Sequence, residues 1–285
     1  MSAPRAWRDV RTDAVARLSV GVSSPEAEAR WLCESVSGHA AGEWSEIERS
    51  APTERQVAQI DAMVARRLAG EPLQYVLGEW AFRSIDLMVD SRVLIPRPET
   101  EWVVEIALRS CANPAALAAD LGTGSGAIAL SMAYERPEWK IVATDVSADA
   151  LTVARWNGAG NGIRNVEYCE GDWFDALPRE FVGSFDLIVS NPPYVAEFER
   201  AALSSEVVDH EPAGALFAGP DGLDAIRTII AGANVWLRPG GWLIVEHSPA
   251  QADTVVALAL DAGFVEALSE HDLTGRPRML VAHRP

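Results

Sequence analysis

Two short stretches of this chain combine residue types that can do chemistry. The first is Asp120-Leu121-Gly122-Thr123-Gly124-Ser125-Gly126-Ala127, which ends one apolar run and opens another, Ile128-Ala129-Leu130-Ser131-Met132. Glycines there permit a tight turn and close approach of a ligand to the backbone, while a following helix would present unpaired N–H groups. Asp145 stands nineteen positions beyond Gly126, where a carboxylate can accept both hydroxyls of a ribose. The second stretch is Asn191-Pro192-Pro193-Tyr194. A side-chain carbonyl from Asn191 and the main-chain carbonyl of Pro192 offer two acceptors, which suits a planar NH2 group, and Tyr194 adds an aromatic plate.

Alone, the glycine string leaves the cofactor open. Gly122-x-Gly124-x-x-Ala127 also satisfies the loose dinucleotide fingerprint, so a nicotinamide enzyme competes at this point. Further along, Asp172 and Trp173 follow an apolar run, and such a pair can hold a base, the acid accepting from an exocyclic amine and the indole lying against the ring. Two consecutive prolines cannot continue a central strand, so Pro192 and Pro193 fix the backbone where an open sheet places its ligand crevice.

The elements that must position these residues follow from the hydrophobic pattern. Strands are expected at 115–121, 140–144, 166–169, 185–190, 242–246, 265–268 and 279–282, with helices such as 127–134 and 148–157 between the early ones. That alternation implies an α/β fold with a mainly parallel sheet covered on both faces. Before it, Val57, Ile60, Met63, Val64 and Leu68 recur at helical spacing, and Ser24-Pro25-Glu26 and Thr53-Glu54 read as helix starts. Residues 1–72 are therefore expected to form a bundle of four or five helices, with Trp7, Trp31 and Trp44 as packing residues. Residues 73–98 read as a hairpin linker: Trp80, Phe82, Ile85, Leu87 and Val89 in one strand, Val93, Leu94 and Ile95 in the other, and a turn at Asp90-Ser91. Residues 99–285 form the remaining domain.

Composition narrows the classes. A chain of 285 residues exceeds the ~150-residue domain prior, so two domains are expected. The net charge is −17; residues 1–75 carry 9 basic and 11 acidic side chains, and residues 76–285 carry a balance of −15. Duplex binding through phosphate neutralisation is disfavoured by that balance. Cys33, Cys111 and Cys169 are odd in number and far apart, which fits neither a disulfide framework nor a zinc knuckle and points to a reducing cytoplasm. No signal-like or membrane-spanning apolar run is visible. His39, His210, His247, His271 and His283 lack paired ligand spacing, so no metal is expected. Ser125 lacks the frame of a nucleophile elbow.

Taken in order, the glycine stretch at 120–126, Asp145, Asp172-Trp173 and Asn191–Tyr194 resemble a class I S-adenosylmethionine methyltransferase of the amino-group type. Glu71–Gly78, Leu94–Glu101, Glu211-Pro212 and Gly219–Asp224 narrow the resemblance to the HemK/PrmC family, the glutamine N5-methyltransferases of peptide chain release factors. The resemblance implies a Rossmann-like, seven-stranded domain whose last strand is antiparallel, joined to a small N-terminal helical bundle that recognises substrate. It implies S-adenosyl-L-methionine as cofactor and S-adenosyl-L-homocysteine as product. Gly122, Thr123, Gly124, Ser125, Gly126, Asp145, Asp172, Trp173 and Asn191 would bind the cofactor. Asn191, Pro192, Pro193 and Tyr194 would hold the glutamine of the Gly-Gly-Gln motif of bacterial class 1 release factors, with Asn191, Pro192 and Tyr194 catalytic. One departure is Ser248-Pro249, where the family commonly has glycine, which leaves the role of the Glu246–Gln251 loop open.

The expected reaction is an in-line displacement in which the amide nitrogen attacks the sulfonium methyl. Orientation then carries most of the catalysis, an effect reaching ~7–11 kcal/mol in well-aligned systems. Two rivals stand beside it. A DNA N6-adenine methyltransferase also suits Asn-Pro-Pro-Tyr but should carry a basic strip, whereas residues 76–285 contain a single lysine, Lys140. A non-catalytic cofactor-binding module would not need the acceptors of Asn191 and Pro192. A cytoplasmic monomer without stable nucleic-acid or membrane binding is expected.

Overall fold

The computed structural model describes residues 5–39 and 43–285, so residues 1–4 and 40–42 of the expected bundle lie outside the described residues. The backbone forms two compact units. The first runs to Gly78 and takes in Ser205–His210; the second comprises Glu79–Ser204 and Glu211–Pro285.

In the first unit the helices are α1 (Trp7–Leu18), α2 (Pro25–Ser37), α3 (Trp44–Ile47), α4 (Glu54–Leu68) and α5 (Leu73–Leu77). At the start of α4 the Thr53 hydroxyl accepts from Gln56 N at 3.2 Å and the Gln56 side chain accepts from Thr53 N at 2.9 Å. This reciprocal cap satisfies two donors that the first turn would otherwise leave unpaired. Ile60, Met63, Val64 and Arg67 form the buried face of α4 at helical spacing. Leu68, expected on that face, is exposed; Arg67 takes the inward position because Glu28 pairs with it at 2.7 Å. Trp7 and Trp44 are core residues, but Trp31 is 44% exposed. It falls beside, not within, the buried arc of α2 made by Glu28, Ala29, Leu32 and Cys33.

The segment expected as a hairpin linker divides differently. Leu73–Leu77 is helical, and the hairpin is made of β1 (Glu79–Phe82) and β2 (Ile85–Met88), with Phe82 paired to Ile85. Its turn therefore lies at Arg83-Ser84, not at Asp90-Ser91. Arg83 holds a φ of 51°, and that conformation is fixed from outside: its N–H donates to Glu101 Oε1 at 3.0 Å and its guanidinium to Glu135 at 2.7 Å. Asp90–Val93 is a second, separate bend, closed by Val93 N donating to Asp90 O at 3.1 Å. Val93 and Ile95 are buried as their apolarity predicts, but they form no strand, and Pro96 and Pro98 beyond them lack the N–H a ladder needs.

The remaining elements are α6 (Glu101–Ser110), β3 (Leu117–Leu121), α7 (Ala127–Glu135), β4 (Lys140–Asp145), α8 (Ala148–Gly160), β5 (Val166–Glu170), β6 (Phe185–Ser190), α9 (Ser205–His210, grouped with the first unit), α10 (Asp224–Trp236), β7 (Leu237–Glu246), α11 (Ala252–Asp261), β8 (Val265–His271) and β9 (Pro277–His283). All seven expected strands are present, in the order β5-β4-β3-β6-β7-β9-β8, with β9 antiparallel to both neighbours. β6 is buried along its whole length, as a central parallel strand covered on both faces must be. Ile188, Val245, Ile226, Ile229, Ile230, Trp236 and Val255 pack in the core on one side of this sheet. Each such aliphatic side chain contributes ~1.5–3 kcal/mol on burial. The order reverses at β3, which has β4 on one side and β6 on the other. Loops leaving β3 and β6 at their carboxyl ends thus diverge around one crevice.

Candidate functional site

At that crevice a cavity is walled by Gly122–Ser125 after β3, Asp145–Ser147 after β4, Asp172 and Trp173 after β5, and Asn191 and Pro193 after β6. Four strand ends, at Leu121, Asp145, Glu170 and Ser190, converge because the parallel sheet brings their carboxyl termini to one edge. Of the residues expected at the site, Gly122, Thr123, Gly124, Ser125, Asp145, Asp172, Trp173, Asn191 and Pro193 lie on the wall. Gly126, Pro192 and Tyr194 are set back from it.

Gly126 has a packing role. Its φ is 85°, and a Cβ there would lie 2.8 Å from Leu130 and 3.3 Å from Ala154, so only glycine lets α7 approach α8 this closely. The loop is then tied from three sides. Thr123 N donates to Thr144 O at 2.8 Å, the Thr123 hydroxyl to Asp120 Oδ2 at 2.7 Å, and Asn157 Nδ2 to Ser125 O at 2.9 Å. Asn157 also exchanges hydrogen bonds with Met88, at 2.7 Å and 3.0 Å, which fastens the β1–β2 hairpin to the glycine loop.

Asp145 Oδ2 accepts from Gly124 N and Oδ1 from Ser147 N, both at 2.9 Å. Burial raises its pKa, and those backbone N–H groups oppose the rise. Each oxygen keeps a further lone pair for a ligand hydroxyl. Beside it Val146 lies on the wall yet is 71% exposed, an apolar face for a flat base to cover, and the Trp173 ring lies over Gly122. An acceptor for ribose hydroxyls between apolar faces for a base fits S-adenosylmethionine.

Tyr194 is not a plate on the wall. Its hydroxyl donates to Glu246 Oε1 at 3.1 Å and accepts from Arg278 Nη2 at 3.1 Å, with the guanidinium 5.4 Å from the ring centre. Burial, and then the neighbouring Glu246 carboxylate, push its pKa up. Glu246, at the end of β7, is fully buried, and its Oε2 accepts from the Thr100 hydroxyl at 2.8 Å. Burial raises the Glu246 pKa, countered by Arg278, whose Nη2 is 3.3 Å from Oε1. Thr100 in turn accepts from Asn191 Nδ2 at 3.0 Å. Gln251 clasps the other side of the turn: its Nε2 donates to Tyr194 O at 3.0 Å and Gly222 O at 3.1 Å. The Glu246–Gln251 loop, whose role was open, thus supports the Asn191–Tyr194 turn from both ends.

Sequence reasoning missed Thr100, Glu246, Gln251 and Arg278, along with the wall residues Arg92, Val93, Leu94, Pro96, Ser147, Ala150 and Pro212. The stretches 94–101 and 211–212 carried the family resemblance, which was the one signal available for Leu94, Pro96, Thr100 and Pro212. Among the described residues no group of three or more His, Cys, Asp or Glu is placed to hold a metal.

Residues 106–213 match the family model of the methyltransferase small domain, and residues 9–78 match that of the PrmC N-terminal domain. A methyltransferase from Pyrococcus furiosus shares the fold, with a TM-score of 0.52 at 18% identity over 81% of this chain and 99% of that one. The fold and its cavity define an S-adenosylmethionine-dependent methyltransferase. The release factor glutamine methyltransferase of Xylella fastidiosa is 46% identical over 79% of this chain and 80% of its own, and that of Coxiella burnetii 40% over 94% and 95%. The chain belongs to the release factor glutamine methyltransferase family.

Proposed function

We infer that this enzyme transfers a methyl group from S-adenosyl-L-methionine to the side-chain amide nitrogen of the glutamine in the Gly-Gly-Gln motif of bacterial class 1 peptide chain release factors. The observation that carries the reading is that Asn191 and Pro193, the glycine loop and Asp145 line one and the same cavity. That shared wall supports reading Asn191 as a holder for a planar NH2 group beside a nucleoside site.

When bound, S-adenosylmethionine supplies a methyl group already activated by its sulfonium. The protein's work is orientation and exclusion of water. Gly122–Ser125 and Asp145 hold the nucleoside end, with Asp172 and Trp173 at the base. Asn191 Oδ1 and the Pro192 carbonyl accept the two amide N–H groups of the substrate glutamine, which turns its nitrogen toward the methyl and stabilises positive charge as it develops there. No side chain is required as general base. The N-terminal helical unit contributes to recognition of the release factor, and the −15 balance of residues 76–285 steers a basic face of that partner. The protein acts as a cytoplasmic monomer.

An adenine amine presents the same NH2 chemistry, so acceptor choice is the test. With labelled S-adenosylmethionine, transfer to a purified release factor and none to duplex DNA is expected. Transfer to DNA alone would overturn the reading.

A further inference from the structure

We propose that Thr100 is a positioning residue for methyl transfer, which sets the orientation of the Asn191 amide and so decides that its carbonyl, not its NH2, faces the substrate. The inference rests on the reading of Asn191 as holder of the glutamine amide.

The number of protons available between Glu246, Thr100 and Asn191 fixes the amide's orientation. An asparagine amide is nearly symmetric in shape, and its two orientations differ only in which end donates. A pair of acceptors for a substrate NH2 works only with Oδ1 turned outward. Thr100 has one hydroxyl proton, and Glu246 Oε2 at 2.8 Å takes it. Glu246 is held as an acceptor from its other side as well, where Oε1 meets the Tyr194 hydroxyl at 3.1 Å and Arg278 at 3.3 Å. With its proton committed, Thr100 Oγ1 can only accept, and Asn191 Nδ2 donates to it at 3.0 Å. A flipped amide would set Oδ1 against that oxygen with no proton between them. Among the described residues no protein donor takes Oδ1 in the observed orientation, which keeps it available to an N–H of a ligand.

The chain of groups also explains why a threonine at the start of α6 is buried at 3% exposure against a carboxylate at the end of β7. Four separate segments meet here, and Thr100 lies on the cavity wall beside the Asn191 amide that it orients. A valine at 100 keeps the shape of threonine but neither accepts nor donates, so the Asn191 amide loses its orienting partner. A serine keeps the hydroxyl.

The test compares Thr100→Val and Thr100→Ser with the wild-type chain, using a release factor as methyl acceptor. Thr100→Val should lower kcat about 10- to 100-fold, the scale of misaligning a reacting group. Cofactor Kd should stay within about threefold and the chain should remain folded at the assay temperature, with a Tm lowered by the loss of a partner for buried Glu246 Oε2, while Thr100→Ser should recover most of the turnover. The inference is overturned if Thr100→Val keeps wild-type kcat, if its loss is matched by an equal loss in cofactor affinity or is accounted for by the fraction unfolded at the assay temperature, or if Thr100→Ser is as impaired as Thr100→Val. A wild-type chain that leaves the release factor unmethylated would instead overturn the functional reading, before any variant is compared.

Discussion

Asp145 and Gly124 are joined by a 2.9 Å hydrogen bond from the Gly124 amide to Oδ2, so the carboxylate that would bind a ribose also holds the loop on which the rest of the cofactor would rest. The two roles cannot be separated by mutation. Asp145→Ala should therefore weaken S-adenosylmethionine binding by about 10- to 100-fold, the scale of losing a charge-assisted hydrogen bond. Calorimetry would show this, and kcat at saturating cofactor should fall less than affinity. A variant binding as tightly as wild type would remove Asp145 from the site.

Gly222 backs the Asn191–Tyr194 turn and has no contact with the glycine loop. Its φ is 73°, and a Cβ there would lie 2.3 Å from Tyr194 O and 3.0 Å from Ala196 N, both backbone atoms that cannot step aside cheaply. Gly222→Ala should displace the Asn191–Tyr194 turn and lower kcat at least about tenfold, because small misplacements of the reacting groups are costly. Cofactor affinity should hold within about threefold. An unchanged kcat would mean that the turn does not depend on this contact.

Asp120 gives a pH signature to folding. It is completely buried, and burial pushes its carboxyl up to about 7 against the pull of the Thr123 hydroxyl and the Ala129 N–H. Its Oδ1 has no hydrogen-bond partner. An acid whose folded pKa lies above its unfolded value favours the folded state below the unfolded value, and that contribution is lost as pH rises through about 7. Asp120→Asn, which cannot ionise, should gain stability relative to wild type as pH rises from about 4 to 7 and then level off. Urea midpoints measured across that range would check it; a difference that stays flat with pH would contradict it.

In the first unit, Arg67 lies buried between Glu28 at 2.7 Å and Glu206 at 2.8 Å. Removing one member of a buried ion pair leaves an uncompensated charge. Arg67→Met should cost about 3–5 kcal/mol in denaturant unfolding, and adding Glu28→Leu should recover much of it. A cost below about 1 kcal/mol would show the pair to be solvated.

What was legible in the sequence was local. Asp120–Gly126 and Asn191–Tyr194 are contiguous strings whose residue types state their chemistry, and the central strands, such as Phe185–Ser190, are short apolar runs followed by turn residues. The hairpin turn was misplaced because Val93-Leu94-Ile95 has the apolarity of a strand; tertiary burial, not pairing, uses it. Arg83, which does turn the chain, carries no turn signature, since its left-handed conformation is imposed by Glu101 and Glu135, far away in sequence. Likewise Thr100, Glu246, Gln251 and Arg278 belong to segments that meet only once the sheet is assembled. Tyr194 looked like a free aromatic because nothing near it in the sequence announces that Glu246 and Arg278 will claim its hydroxyl.

The identity of the methyl acceptor decides what this enzyme does. Incubating a purified class 1 release factor with this enzyme and S-adenosylmethionine, followed by intact-mass and peptide mass spectrometry, tests it directly. One added methyl group on the glutamine of the Gly-Gly-Gln motif is expected, and none on a version with that glutamine replaced by alanine. A release factor that stays unmodified, or a methyl group that persists in the alanine version, would rule out that glutamine as the acceptor.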